Sequence, residues 1–118
     1  MNKIYFVIGT KAQFIKCKPV INYIVNNSDV EILLTNQHKD FLDKFIQELN
    51  PNVKIQDFLE NNEVLDSIFK NIKWFVYSFI KIITNKTLKP EKNSLIINHG
   101  DTLSALLGAI FGLKHKVK

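Results

Sequence analysis

Ile4-Tyr5-Phe6-Val7-Ile8-Gly9-Thr10-Lys11-Ala12-Gln13 is the stretch that decides the fold. Its first five residues form an unbroken apolar, β-branched and aromatic run closed by a glycine, which suits a strand buried on both faces of a parallel sheet. From Ala12 onward the apolar positions Phe14, Ile15, Val20, Ile21 and Ile24 recur at spacings near three and four, until Asn26-Asn27-Ser28-Asp29 breaks the pattern. A helix is predicted there, kinked at Pro19 because an interior proline removes a ladder donor.

The same unit repeats down the chain. Val30 to Thr35 is a second strand, Asn36-Gln37-His38 a turn, and Asp40 to Leu49 an amphipathic helix with Phe41, Leu42, Phe45, Ile46 and Leu49 on one face. Val53 to Phe58 is a short third strand, Glu60 to Glu63 a polar turn, and Val64 to Thr84 one long helix. Asp66, Lys70, Lys73 and Lys81 interrupt that helix, so it falls short of a membrane span and is expected to cover a sheet face. Asn85 to Asn93 is a loop. Ser94 to His99 is a fourth strand, Gly100-Asp101-Thr102 a sharp turn, and Leu103 to Leu113 a helix whose Gly108 and Gly112 allow close approach to the sheet. Lys116-Val117-Lys118 reads as the start of a further strand.

Strands alternating with helices imply an α/β fold, a Rossmann-like parallel sheet with flanking helices and right-handed crossovers, in the order 3-2-1-4. Ligands of such sheets bind beyond the carboxyl ends of the strands. Three of those ends carry polar clusters: Gly9-Thr10-Lys11, Thr35 to His38, and His99 to Thr102.

Composition narrows the classes. The single Cys17 rules out an internal disulfide, and no Cys or His stands at zinc spacing, so neither a metal nor a disulfide frame is expected. A reducing, cytoplasmic setting fits, and Ile4 to Ile8 is too short for the core of a signal peptide. The net charge of +5 is spread among sixteen basic and eleven acidic residues, with no nucleic-acid signature behind it.

Gly9 to Gln13 joins a buried strand to a helix start, so its amides and Lys11 would face an anion at the positive end of the helix dipole. The stretch is neither GxGxxG nor a Walker loop, so no nicotinamide cofactor or NTPase chemistry is expected. Lys16 would reach the same place or lie on the helix surface. At the fourth strand end, Asp101 suits proton transfer or binding of sugar hydroxyls, although an N-cap is the commoner role for Asp and Thr at such a position. His38 and His99 read as turn residues, and Cys17 as core.

Three segments, in order, carry a family resemblance. Gly9-Thr10-Lys11-Ala12-Gln13-Phe14-Ile15-Lys16 with Pro19-Val20-Ile21, Thr35-Asn36-Gln37-His38 with Phe41-Leu42-Asp43, and His99-Gly100-Asp101-Thr102 resemble the non-hydrolysing UDP-N-acetylglucosamine 2-epimerases. The resemblance implies two Rossmann-like domains facing each other across a cleft, as in B-type glycosyltransferases, of which residues 1–118 would be an incomplete N-terminal one. It implies that UDP-GlcNAc is the partner, converted to UDP-ManNAc by eliminating UDP and adding it back without a cofactor. On this analogy Asp101 is catalytic, and Thr10, Lys11, Gln13, Lys16, His38 and His99 bind substrate. Lys11 stands for the family arginine, Ala12 for its proline and Gln13 for its glutamate. The chain is then expected to be inactive alone, with a separate chain as one source of the missing domain. A small sugar-nucleotide- or protein-binding module, or the acceptor side of a B-type glycosyltransferase, are the alternatives.

Overall fold

A computed structural model of the chain describes residues 2–38 and 42–118. Four parallel strands, β1 (Lys3–Ile8), β2 (Asp29–Leu34), β3 (Lys54–Asp57) and β4 (Leu95–Asn98), form one sheet in the order β3-β2-β1-β4. The expected strand order is thus the observed one. β1 pairs with β2 from Lys3↔Asp29 to Ile8↔Leu34, and with β4 from Ile4↔Leu95 to Val7↔Asn98.

Side chains alternate across a strand, so each central strand feeds two cores. Phe6, Ile8, Ile32 and Leu34 meet Phe14, Cys17 and Ile21 of α1 (Lys11–Ile24) on one face. Tyr5, Val7, Leu33 and Ile96 meet Trp74 and Ile82 of α3 (Ile68–Ile83) and Leu107 and Phe111 of α4 (Leu103–His115) on the other. Helices on both faces explain why β1 carries no polar alternation. Burial pushes the Cys17 thiol pKa up, which suits its expected place in the core and suppresses thiolate chemistry.

The helix ends refine the sequence expectations. α1 continues through Pro19 to Ile24. Between β2 and β3, a helix from Asp40 to Leu49 was expected; Asp40 and Phe41 lie outside the described residues, α2 covers only Leu42–Phe45, and Ile46–Glu48 tightens into a 3-10 turn. Ile46 is exposed while Leu42 and Phe45 pack on the core, so the apolar face is narrower than its spacing suggested. The long helix starts at Ile68 and not at Val64, because Ser67 takes the extended N-cap conformation and its hydroxyl accepts from the Lys70 N–H.

α4 runs two residues past the expected Leu113. It ends with Lys116 in the left-handed region (φ 55°), the Val117 N–H donating to the Gly112 carbonyl and the Lys116 N–H to that of Leu113. This is a Schellman closure with a lysine where glycine is usual. The expected strand at Lys116–Lys118 does not form, although the Lys118 carbonyl accepts a 2.7 Å bond from the Ile96 N–H at the open edge of β4. Gly108 is needed for close approach: a Cβ there would lie 1.9 Å from Asn98 Oδ1 and 3.0 Å from Val7 Cβ.

Candidate functional site

Parallel strands deliver the three polar loops to one edge of the sheet, and hydrogen bonds tie them to one another. Thr10 caps α1, accepting at its hydroxyl from the Gln13 N–H, while Gln13 Oε1 accepts from the N–H groups of Gly9 (2.9 Å) and Thr10 (3.2 Å). The pattern is a reciprocal capping box. The other end of the same amide reaches across the sheet, Gln13 Nε2 donating to the His99 carbonyl at 2.7 Å. On the opposite side the His38 N–H donates to the Gly9 carbonyl at 2.8 Å. The loops after β1, β2 and β4 are therefore one connected surface.

Beneath that surface, Thr35 and Ser104 share a 2.6 Å hydroxyl bond, and Ser104 Oγ lies 2.6 Å from Gln37 Oε1. Gly9 passes directly over this pair: a Cβ on it would lie 1.9 Å from Ser104 Oγ and 2.2 Å from Thr35 Oγ1. Asn36 adopts φ 59°, a conformation that asparagine tolerates better than most residues. Its side chain donates to Asp57 Oδ1 and the Leu59 carbonyl, linking the loop after β3 as well.

The residues singled out in the sequence divide into two groups. Thr10 and Gln13 are buried, and their polar atoms are engaged in holding the loops, so any ligand contact by Gln13 would displace existing bonds. Lys11, Lys16, His38, His99 and Asp101 have exposed side chains. Lys11 Nζ stands 5.5 Å from the centroid of the Phe45 ring, a cation–π contact that orients it at the rim. Lys16 follows five residues later, about 140° further round the helix, and so does not share that orientation. Gly100 takes φ 85°, the sharp turn expected of it. The N-cap of α4 is Thr102, whose hydroxyl accepts from the Ala105 N–H, and not Asp101. The Asp101 carboxylate makes no hydrogen bond or ion pair among the described residues, which leaves an exposed anion beside the α4 N-terminus.

Sequence reasoning missed Ser104, which with Thr35 forms the polar floor under Gly9; only the chance that a serine one residue into a helix faces the sheet would have flagged it. Asn36 and Gln37 stood in the polar cluster after β2 without a role of their own. Asn36 carried a signal, since asparagine right after a strand is a common bearer of the left-handed conformation.

The chain is 26% identical over 122 residues to a UDP-N-acetylglucosamine 2-epimerase of Campylobacter jejuni, an alignment covering 100% of this chain and 30% of that protein. The chain is a relative of the UDP-N-acetylglucosamine 2-epimerases. The enzyme of that name from Methanocaldococcus jannaschii is 31% identical over 119 residues, with 98% of this chain and 30% of that protein covered. A homologue of such an epimerase in Methanococcus maripaludis is 31% identical over 126 residues, covering 98% and 31%. The chain thus spans about 30% of the length of the curated epimerases it matches. No family model matches it. Among solved structures, the C-terminal domain of a hydrogenase from Pyrococcus furiosus superposes with a TM-score of 0.59 at 14% identity, covering 98% of this chain and 87% of that domain. That likeness concerns the α/β fold alone. Among the described residues no helix is long and apolar enough to cross a membrane.

Proposed function

We propose that this chain supplies one wall of a nucleotide-sugar site in a UDP-N-acetylglucosamine 2-epimerase. The observation that carries the proposal is the joined loop surface, on which Lys11 and Asp101 are exposed at the same sheet edge. Alignment of nearly the whole of this chain with about 30% of each epimerase relative supports the substrate class. Lys11 is the cation for the diphosphate, at the end of the sheet where helix N-termini already favour anions. Asp101 lies on the loop neighbouring that lysine and is the group assigned to the reacting sugar. Thr10 and Gln13 position the loops, while Lys16, His38 and His99 are further candidates for contact from the exposed side.

Epimerisation through elimination and re-addition of UDP needs a group that removes a proton while others hold the leaving diphosphate, converging from more than one side. The relatives are about three times as long as this chain, so the opposing groups are assigned to the remainder of such a protein, on the same or another chain. The isolated 118 residues are then expected to bind UDP weakly and to turn nothing over.

Two measurements test this. Calorimetric titration with UDP should show weak binding that Lys11→Ala reduces by about 1 kcal/mol, the worth of one exposed charge-assisted contact. Incubation with UDP-GlcNAc in deuterated water should yield neither UDP-ManNAc nor deuterium at sugar carbon 2. Absence of UDP binding at millimolar ligand would remove the anion-site assignment, and turnover abolished by Asp101→Asn would overturn the one-wall reading.

A further inference from the structure

The charge that reads as spread along the sequence is gathered by the fold at one end of the sheet. Helices return antiparallel to the parallel strands, so the loop at residues 84–94 and the tail at 114–118 both lie at the amino ends of the strands, opposite the polar loops. Three carboxylates stand at that end, and they are neutralised from within. Lys3 Nζ lies 2.6 Å from Glu31, 3.3 Å from Glu91 and 3.9 Å from Asp29, and Lys54 Nζ lies 3.5 Å from Asp29. Six further lysines, Lys86, Lys89 and Lys92 of the loop and Lys114, Lys116 and Lys118 of the tail, are exposed and make no ion pair among the described residues.

Eight lysines against three carboxylates at this end make +5, the formal net charge of the whole chain, because the other eight lysines and eight carboxylates cancel. The ion pairs Asp66–Lys70, Glu60–Lys81 and Lys18–Glu48 belong to that balanced remainder. Loop and tail form one surface. Burial, then the charges of Lys114 and Lys89, hold the His115 pKa below its ordinary 6.5, which sets the loop beside the end of α4. Lys116 and Lys118 border a hollow with Asn93 and Leu95 at the start of β4. Like charges crowded on one end work against the compact state, a cost that contact with a polyanion removes.

The chemistry of the surface selects the polyanion. All sixteen basic residues of the chain are lysine, so it lacks the bidentate guanidinium contacts favoured in nucleic-acid recognition. Residues 84–94 and 113–118 contain no Phe, Tyr or Trp to stack on a base. They do contain Leu113, 80% exposed next to Lys114, whose alkyl group suits the acyl boundary of a bilayer. Diffuse ammonium charge beside an exposed aliphatic group is what an anionic leaflet attracts. We infer that this end of the domain docks on an anionic membrane surface through the six unpaired lysines and Leu113. The loops carrying Lys11 and Asp101 then face away from the bilayer, since a six-residue strand holds the two ends about 20 Å apart.

Flotation with vesicles at low ionic strength tests the inference, with circular dichroism confirming the fold of each variant. The chain should float with vesicles of equal parts phosphatidylglycerol and phosphatidylcholine, stay behind with phosphatidylcholine alone, and be released near 1 M salt, where the Debye length is about 3 Å. At roughly five-fold per lysine, combining Lys86→Gln, Lys89→Gln and Lys114→Gln should lower the partition coefficient on the order of 100-fold. Combining Lys44→Gln, Lys70→Gln and Lys73→Gln, on α2 and the first half of α3, changes the net charge equally and should lower it by less than about three-fold. Leu113→Gln should weaken binding about ten-fold. A parent chain that does not float with the anionic vesicles would overturn the inference. So would equal losses in the two triple variants, indifference to Leu113→Gln, or RNA bound more tightly than vesicles through the same lysines.

Discussion

Replacing Gly9 with alanine tests whether the site is built on its polar floor. A methyl group at residue 9 would sit 1.9 Å from Ser104 Oγ, 2.2 Å from Thr35 Oγ1 and 2.7 Å from Ser104 Cβ. Thr35 and Ser104 are fully buried, so neither can swing into solvent. Accommodation requires the β1–α1 loop to lift or the shared hydroxyl bond to break, leaving buried oxygens unpaired. Overpacking costs about 1–3 kcal/mol and an unpaired buried hydroxyl a similar amount, so the combined destabilisation should be about 3 kcal/mol. With a urea m-value of roughly 2 kcal/mol/M, the unfolding midpoint should fall by about 1.5 M. Ser104→Gly removes two of the three clashing atoms, so in that background the same substitution should cost at least about 1 kcal/mol less. A Gly9→Ala chain within about 0.5 kcal/mol of the parent, or one whose cost is unchanged by Ser104→Gly, would refute the idea that this close approach fixes the loop.

Three further outcomes follow from local features. Lys116→Gly should stabilise the chain by about 1 kcal/mol, the left-handed penalty that lysine carries at the end of α4, read as a higher melting temperature. Burial, with Lys114 and Lys89 nearby, holds the His115 pKa below its ordinary 6.5. The unfolded chain therefore binds this proton more readily, and stability should fall as pH drops below about 6.5. His115→Gln should flatten that part of the pH–midpoint curve, and an unchanged slope would count against it. Gln13→Glu keeps the acceptor for the Gly9 and Thr10 amides but loses the donor to the His99 carbonyl. NMR should then show shifted and broadened resonances for residues 99 to 102, with α1 unchanged.

Strand order and the gathering of the three polar loops were legible because β1 reads as buried on both faces and parallel strands send every following loop to one edge. What each loop residue does there was less legible. Thr10 and Gln13 occupy the spacing of a capping box, a local signature present in the sequence, yet they were assigned to the ligand because the same residues lie in the family-like motif. Asp101 and Thr102 posed the converse problem: either suits an N-cap, and only backbone geometry assigns it to Thr102 and leaves the carboxylate exposed. Periodicity also hid the orientation of α3, since an apolar stripe shows that a helix has two faces without saying which one meets the sheet.

The bridging of the loops by Gln13 and by the Gly9 carbonyl bears on how this edge of the sheet fluctuates. Loops at strand ends ordinarily fray one by one, each with its own opening free energy. Here, opening the β4–α4 loop releases the amide that organises the start of α1, and opening the β2 loop removes the His38 bond from Gly9. The amide protons of Gly9, Thr10 and His38 should consequently exchange with solvent as one cooperative unit. A ligand that orders any one of the three loops would slow exchange in the other two without touching them.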